Sequence, residues 1–263
     1  VGRSNHLHGL IMITNNTFDS LVGSAKPKEN ILILGSGPSA LGVIDYIERF
    51  DNIIVLNGAV NLINLPTFSM FLDFECPKRD WFYVDNSSVR LVEEKISKHD
   101  RLDHYTWKYK NHRMADGPST IPIKYDGHLY GSSSVATFAL YAAYIMGYKT
   151  IYTCGTDFGI KEGKCYSYKP DKLEVNRTLG QVRKDLSSTQ RACYDGKIRF
   201  PMRPYMGIGI VIMDQLRNRL LPYVDEITDL SDGNLSWTMP IDKYFRDRYS
   251  PEIGSIPFFE GND

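Results

Sequence analysis

The sequence predicts an α/β fold: a Rossmann-like, mostly parallel sheet with helices on both faces. Three observations predict it. Ile31-Leu32-Ile33-Leu34 is a short aliphatic run that stops at a glycine turn, Gly35-Ser36-Gly37-Pro38-Ser39, the pattern of a strand buried on both faces that leads into a helix. A second run, Asn52-Ile53-Ile54-Val55-Leu56-Asn57-Gly58, then closes a strand–helix–strand unit, expected to be parallel and right-handed. Further on, Lys149 to Phe158 repeats the strand signal with Gly155-Thr156-Asp157 at its tip. With 263 residues the chain can bury a sizeable core. We expect a single α/β domain over 1–263, with its core at 30–158 and 205–235 and a lid-like insertion at 159–204, before the last helix and strand.

Taken in order, the first 29 residues are mixed and polar, with turn chemistry at Asn15-Asn16 and Lys26-Pro27-Lys28. Leu10 to Ile13 reads as an edge strand or short helix, and His6 and His8 as solvated. After the glycine turn, Leu41, Ile44 and Ile47 fall at helical spacing with Ser39 as the cap. Ser69 to Phe74 is a third strand. If the strands run parallel, their carboxyl ends present Ser36, Asn57 and Asp73 along one edge, where open α/β sheets bind ligands. Val89 to Ile96 suggests a helix with Arg90, Glu93, Glu94 and Lys95 toward water, and 104–113 an edge strand or loop. Ser132, Ser133 and Ser134 precede the clearest helix, Val135 to Met146, which Gly147 stops. Residues 159–204 are rich in turns. A helix from Ile208 to Leu221 and a strand from Val224 to Leu230 follow.

Several of these positions suit ligand chemistry. Gly35 and Gly37 let a backbone approach an anion at a helix start, and Ser36 and Ser39 add hydroxyls. The serines 132–134 offer the same at a second helix, or plain capping. Asn57 is a hydrogen-bonding group for a base or ribose, or an Asx-turn residue. Asp157, beside Gly155, can bind a ribose, hold Mg²⁺ or act as a base. Lys plus Arg and Asp plus Glu each total 31, which gives no reason to expect nucleic acid and leaves room for peripheral membrane contact and for homo-oligomers. The four cysteines show no metal-ligand spacing. No metal site, transmembrane segment or signal peptide is expected, and the expected location is cytoplasmic.

The segments Leu34 to Ser39, Asn57, Gly131 to Val135 and Leu140 to Phe158 together resemble the bacterial lipooligosaccharide sialyltransferases and the related flagellin-glycosylation and 6-hydroxymethylpterin diphosphokinase-like domains. The resemblance covers roughly 30–160, with a weaker echo at Thr228 to Asn234. It implies that Ser36 stands where the family has an Asn near the nucleotide phosphate. It further implies that Asn57 and Asp73 contact the nucleotide, that Ser132 to Ser134 contact the nucleotide sugar, and that Tyr166 stabilises the leaving phosphate. The family's catalytic histidine has no counterpart. The last histidine is His128, and Pro204 and Tyr205 occupy roughly that position. A phenol at its ordinary pKa of about 10 is a poor base at neutral pH, so the base would come from Asp157 or Tyr205, with Arg203 assisting by charge.

The leading expectation is therefore a glycosyltransferase-like enzyme. It would take a nucleotide sugar, a CMP-sugar by resemblance, and pass the sugar to a glycan acceptor by direct displacement. The alternatives are an ATP-dependent diphosphokinase in which Asp73 and Asp157 hold Mg²⁺, and a non-catalytic nucleotide-binding protein of a surface-glycan pathway.

Overall fold

The computed structural model describes residues 15–84, 88–100, 102–167 and 182–249. Leu10 to Ile13, His6 and His8 lie outside the described residues. Among the described residues, ten strands form two sheets. The main one contains β1 (Asn15–Thr17), β2 (Asn30–Leu34), β3 (Asn52–Leu56), β4 (Phe68–Phe71), β5 (Val89–Glu93), β6 (His104–Trp107), β9 (Thr150–Cys154) and β10 (Glu226–Asp229). Their spatial order is β1-β6-β5-β4-β3-β2-β9-β10, and every neighbouring pair is parallel. A second, two-stranded sheet pairs β7 (Tyr109–Asn111) with β8 (Leu129–Gly131).

Register explains why the strand ends line up. Leu34 pairs with Val55 on one side and with Cys154 on the other, so the turns after β2, β3 and β9 leave the sheet at one level. Alternate strand residues feed two cores, as a sheet covered on both faces requires. Ile31, Ile33, Ile54, Leu56, Met70, Leu91 and Ile151 face one core, and Leu32, Leu34, Ile53, Val55, Phe71, Val92 and Tyr152 the other.

The helices are α1 (Glu94–Ser97), α2 (Val135–Met146), α3 (Ser188–Ala192), α4 (Pro204–Leu220) and α5 (Ile241–Tyr249). The first core packs under α2 and α4. Ser134 caps α2 with its hydroxyl, which accepts from Ala136 N, and Gly147 ends the helix at φ +103°. Both boundaries match the sequence expectation. Ala139, Ala142 and Ala143 are wholly buried and let α2 lie close on the sheet. On the other face, Tyr46 stacks on Phe245 of α5 at 5.0 Å, and its hydroxyl donates to Asp242.

Four expectations are corrected. The segment Pro38–Arg49 is a 3-10 helix, with three residues per turn. Its buried line is therefore Ala40 and Val43, followed by the half-buried Tyr46, while Leu41 and Ile44 are exposed. The N-cap is Gly37, and Ser39 is not the cap. Val89–Glu93 is strand β5, and a helix begins only at Glu94. Arg90, expected in water, is buried, where its guanidinium meets Asp100 at 2.8 Å, donates to Phe82 O and lies over the Phe71 ring. Asn15 and Asn16 are edge-strand residues rather than a turn. The stretch between β9 and α4 contains α3, and its residues 168–181 lie outside the described residues.

Candidate functional site

The strand order reverses direction beside β2: β3 to β6 lie on one side, β9 and β10 on the other. Such a switch point opens a crevice at the carboxyl edge of the sheet. Here the crevice is a cavity of about 500 Å³, within the range of small-molecule sites. The turn after β2 supplies Gly35, Ser36 and Gly37. β3 leads to Asn57, β4 to Leu72 and Asp73, and β9 to Gly155, Thr156 and Asp157. The lining also includes Ser133 to Ala136 at the start of α2, Cys165 and Tyr166, whose neighbour Ser167 donates its N–H to Ser36 O at 2.8 Å, and Arg203, Tyr205 and Met206 at the start of α4.

Twelve of the residues singled out from the sequence thus line one cavity: Gly35, Ser36, Gly37, Asn57, Asp73, Ser133, Ser134, Gly155, Asp157, Tyr166, Arg203 and Tyr205. Ser39 and Ser132 do not. Ser39 is turned onto Asp157, and Ser132 donates its backbone N–H to Thr137 Oγ1. Thr156, Cys165 and Met206 line the cavity without having been singled out. Nothing in their local sequence marks them, and they arrive as neighbours of residues that were.

The turn after β2 was expected to hold an anion, and it already contains one. Asp157 Oδ2 accepts from the backbone N–H of Ser39 at 3.0 Å and from Ser39 Oγ at 2.9 Å. Its Oδ1 meets Lys161 Nζ at 3.0 Å. Gly37 N donates to Gly155 O at 2.7 Å, Ala40 N to Gly37 O, and Pro38 has no N–H. The carboxylate therefore sits where a helix start attracts negative charge. In this structure Asp157 therefore braces the turn, and the N–H groups of Gly37, Ser39 and Ala40 are already bonded. The glycines serve the same closure. A Cβ on Gly37 would overlap Asp157 Oδ2 and Gly155 O, and a Cβ on Gly155, which holds φ +67°, would overlap Gly35 O and Ala40 Cβ.

Behind this turn lies a second carboxylate. Asp229, at the end of β10, is wholly buried and accepts hydroxyls from Thr153 at 2.6 Å, Thr156 at 3.1 Å and Ser231. Burial pushes its pKa up to about 6, against the opposing pull of the hydroxyl bonds. Asn234 closes the assembly. Its side chain accepts from Arg199 N and Phe200 N and donates to Phe158 O and Phe200 O, which ties the residues before α4 to the turn after β9.

The starts of α2 and α4 carry no acidic residue in their first turns. Both dipoles present their positive ends to the cavity, together with the buried Arg203 guanidinium. Tyr205 lies on N2 of α4, with the Arg203 guanidinium 5.9 Å from its ring centre. No described histidine lines the cavity: His112 is bonded to Gln215, and His128 pairs with Asp126. Asp73 and Asp157, expected together on Mg²⁺ in the diphosphokinase reading, follow strands three positions apart in the sheet. At about 4.8 Å per strand they are separated by about 14 Å, too far to share one ion. Among the described residues, no group of three His, Cys, Asp or Glu is placed to hold a metal.

Compared with solved structures, the chain is similar to the MAf glycosyltransferase from Magnetospirillum magneticum AMB-1, with a TM-score of 0.50 and 14% identity. The match covers 81% of this chain and 34% of that one, so the chain spans about a third of that protein's length. At this identity the likeness establishes the fold, a Rossmann-like α/β domain of the kind found in that glycosyltransferase. No family model matches, and no curated protein matches. No described helix is long and apolar enough to cross a membrane.

Proposed function

We propose that this chain is a glycosyltransferase-like enzyme that binds a nucleotide sugar in the cavity at the carboxyl edge of β2, β3, β4 and β9, and transfers the sugar to a glycan acceptor. One observation carries the reading. A single cavity gathers two helix starts and a buried Arg203, which favour an anion, beside Asn57, which suits a nucleoside's hydrogen-bonding groups. Because Asp157 occupies the glycine turn, the donor's phosphate is assigned to Ser133 to Ala136 with Arg203. Tyr166, which lines the same cavity, donates to the departing phosphate.

In a direct displacement the acceptor oxygen bonds to the anomeric carbon as the bond from that carbon to the phosphate oxygen breaks. The acceptor proton passes to a base. With Asp157 committed to Ser39 and Lys161, the cavity's other carboxylate, Asp73, takes that role. The resemblance noted above favours a cytidine monophosphate sugar as donor, and the fold shared with a glycosyltransferase supports the coarser reading.

A thermal-shift series with CMP, CDP, UDP, GDP and ATP, each with and without Mg²⁺, tests the proposal, since a ligand that binds only the folded state raises its melting temperature. The expected result is a metal-independent shift, largest with CMP and lost in Asn57→Gly. Glycine suits this variant because Asn57 holds φ +47°, so the side chain is removed without straining the backbone. A shift seen only with ATP and Mg²⁺, or none with any nucleotide, would overturn it.

A further inference from the structure

We infer that the acceptor of this site is an anionic saccharide, recognised at the cavity rim by Lys164, Arg183 and Lys184; the inference rests on the transferase reading above. Its starting point is an uneven division of charge. Residues 159–204 carry eleven Lys and Arg against five Asp and Glu, in a chain whose totals are 31 and 31. This stretch is therefore net +6 and the remainder net −6.

Some of that charge is matched internally. Lys161 pairs with Asp157 and Asp232, Arg199 with Asp232, and Arg191 with Asp185. Lys164, Arg183 and Lys184 are exposed, and among the described residues no ion pair joins them to a carboxylate. The backbone places two of them next to the cavity. Lys164 directly precedes Cys165 and Tyr166, which line it. Arg183 and Met202 exchange both backbone hydrogen bonds at 2.7 Å, which sets Arg183 beside Arg203 at the start of α4; Lys184 follows it.

All three cations thus lie on backbone that adjoins residues of the cavity wall. A bulk surface away from the site would suit a membrane; a rim suits the substrate. Lysine and arginine there would raise the encounter rate of an anionic acceptor and hold its phosphate, sulfate or carboxylate groups while the neutral reacting hydroxyl reaches inward.

The test uses the full chain and the triple variant Lys164→Gln, Arg183→Gln, Lys184→Gln. Calorimetric titrations with a heparin hexasaccharide, with uncharged maltohexaose and with phosphatidylglycerol vesicles are run at about 50 and about 300 mM salt. The expected result is hexasaccharide binding that weakens about tenfold over that salt range and at least about tenfold again in the variant, with neither maltohexaose nor vesicles binding comparably. Absent hexasaccharide binding, equal binding by the variant, or preferential binding to vesicles would overturn the inference. The nucleotide shift, measured on the same samples, separates the two claims. A shift without hexasaccharide binding removes the acceptor assignment alone. Variant-sensitive hexasaccharide binding without a shift removes the transferase reading and leaves an anionic-glycan surface.

Discussion

The turn after β2 and the turn before α2 both place small residues ahead of a helix at the border of one cavity, and the chain closes them differently. The first helix start is met by a full charge, the Asp157 carboxylate, fixed by Ser39 and Lys161. The second is met by a neutral hydroxyl from Ser134, and its positive end faces the cavity. A Gly-Ser pattern before a helix therefore marks a place that favours an anion, while the rest of the fold decides whether the protein supplies that anion itself.

Four substitutions test the difference between the two turns. The largest effect is expected for Gly155→Ala. Its Cβ would adopt a left-handed conformation against Gly35 O and 2.8 Å from Ala40 Cβ, and strain and overpacking together should cost about 4 kcal/mol in a urea melt. Asp157→Asn keeps an acceptor for Ser39 but strips Lys161 of its buried partner, a loss of about 3 kcal/mol. If the first turn were an open phosphate site, this variant would instead leave stability nearly unchanged.

Asp229→Asn probes the support behind the same turn through pH. Asp229 has a folded pKa near 6, above the unfolded value of about 4, so the folded state binds its proton more tightly. The stability it contributes is full below about pH 4 and falls as the pH rises through about 6. The stability of Asp229→Asn relative to the unmodified chain should therefore climb between those values and level off above them, by up to about 3 kcal/mol. Equal pH profiles in denaturant melts would show that Asp229 does not titrate in that range. The smallest effect is expected for Ser134→Ala, the loss of one neutral cap, at about 1 kcal/mol.

The parts of the fold that could be read from the sequence were those carried by local pattern. Short apolar runs ending in Gly, Asn or Asp gave β2, β3, β4 and β9, and parallel topology alone placed Ser36, Asn57 and Asp73 on one edge. Strand β5 escaped because Arg90 interrupts its apolar run, and the residue that makes Arg90 buriable, Asp100, lies outside the strand. The first helix was assigned the wrong face because a period of 3.6 was read where the chain winds at 3.0. At the site, the positions of Asp157, Tyr166, Arg203 and Tyr205 were legible, whereas the duty of Asp157 was not. Its partner Ser39 is 118 residues away, and Lys161, though near in sequence, belongs to no regular element whose spacing would announce the contact.

In the proposed reading the donor's phosphate binds at the starts of α2 and α4 and not in the turn that Asp157 occupies. A crystal structure with the nucleotide that gives the largest thermal shift decides between the two places. Phosphate density is expected beside Ser133 to Ala136 and Arg203, with Asp157 still bonded to Ser39. Phosphate at Gly35 to Ser39 with Asp157 displaced, or a cavity without nucleotide, would contradict it.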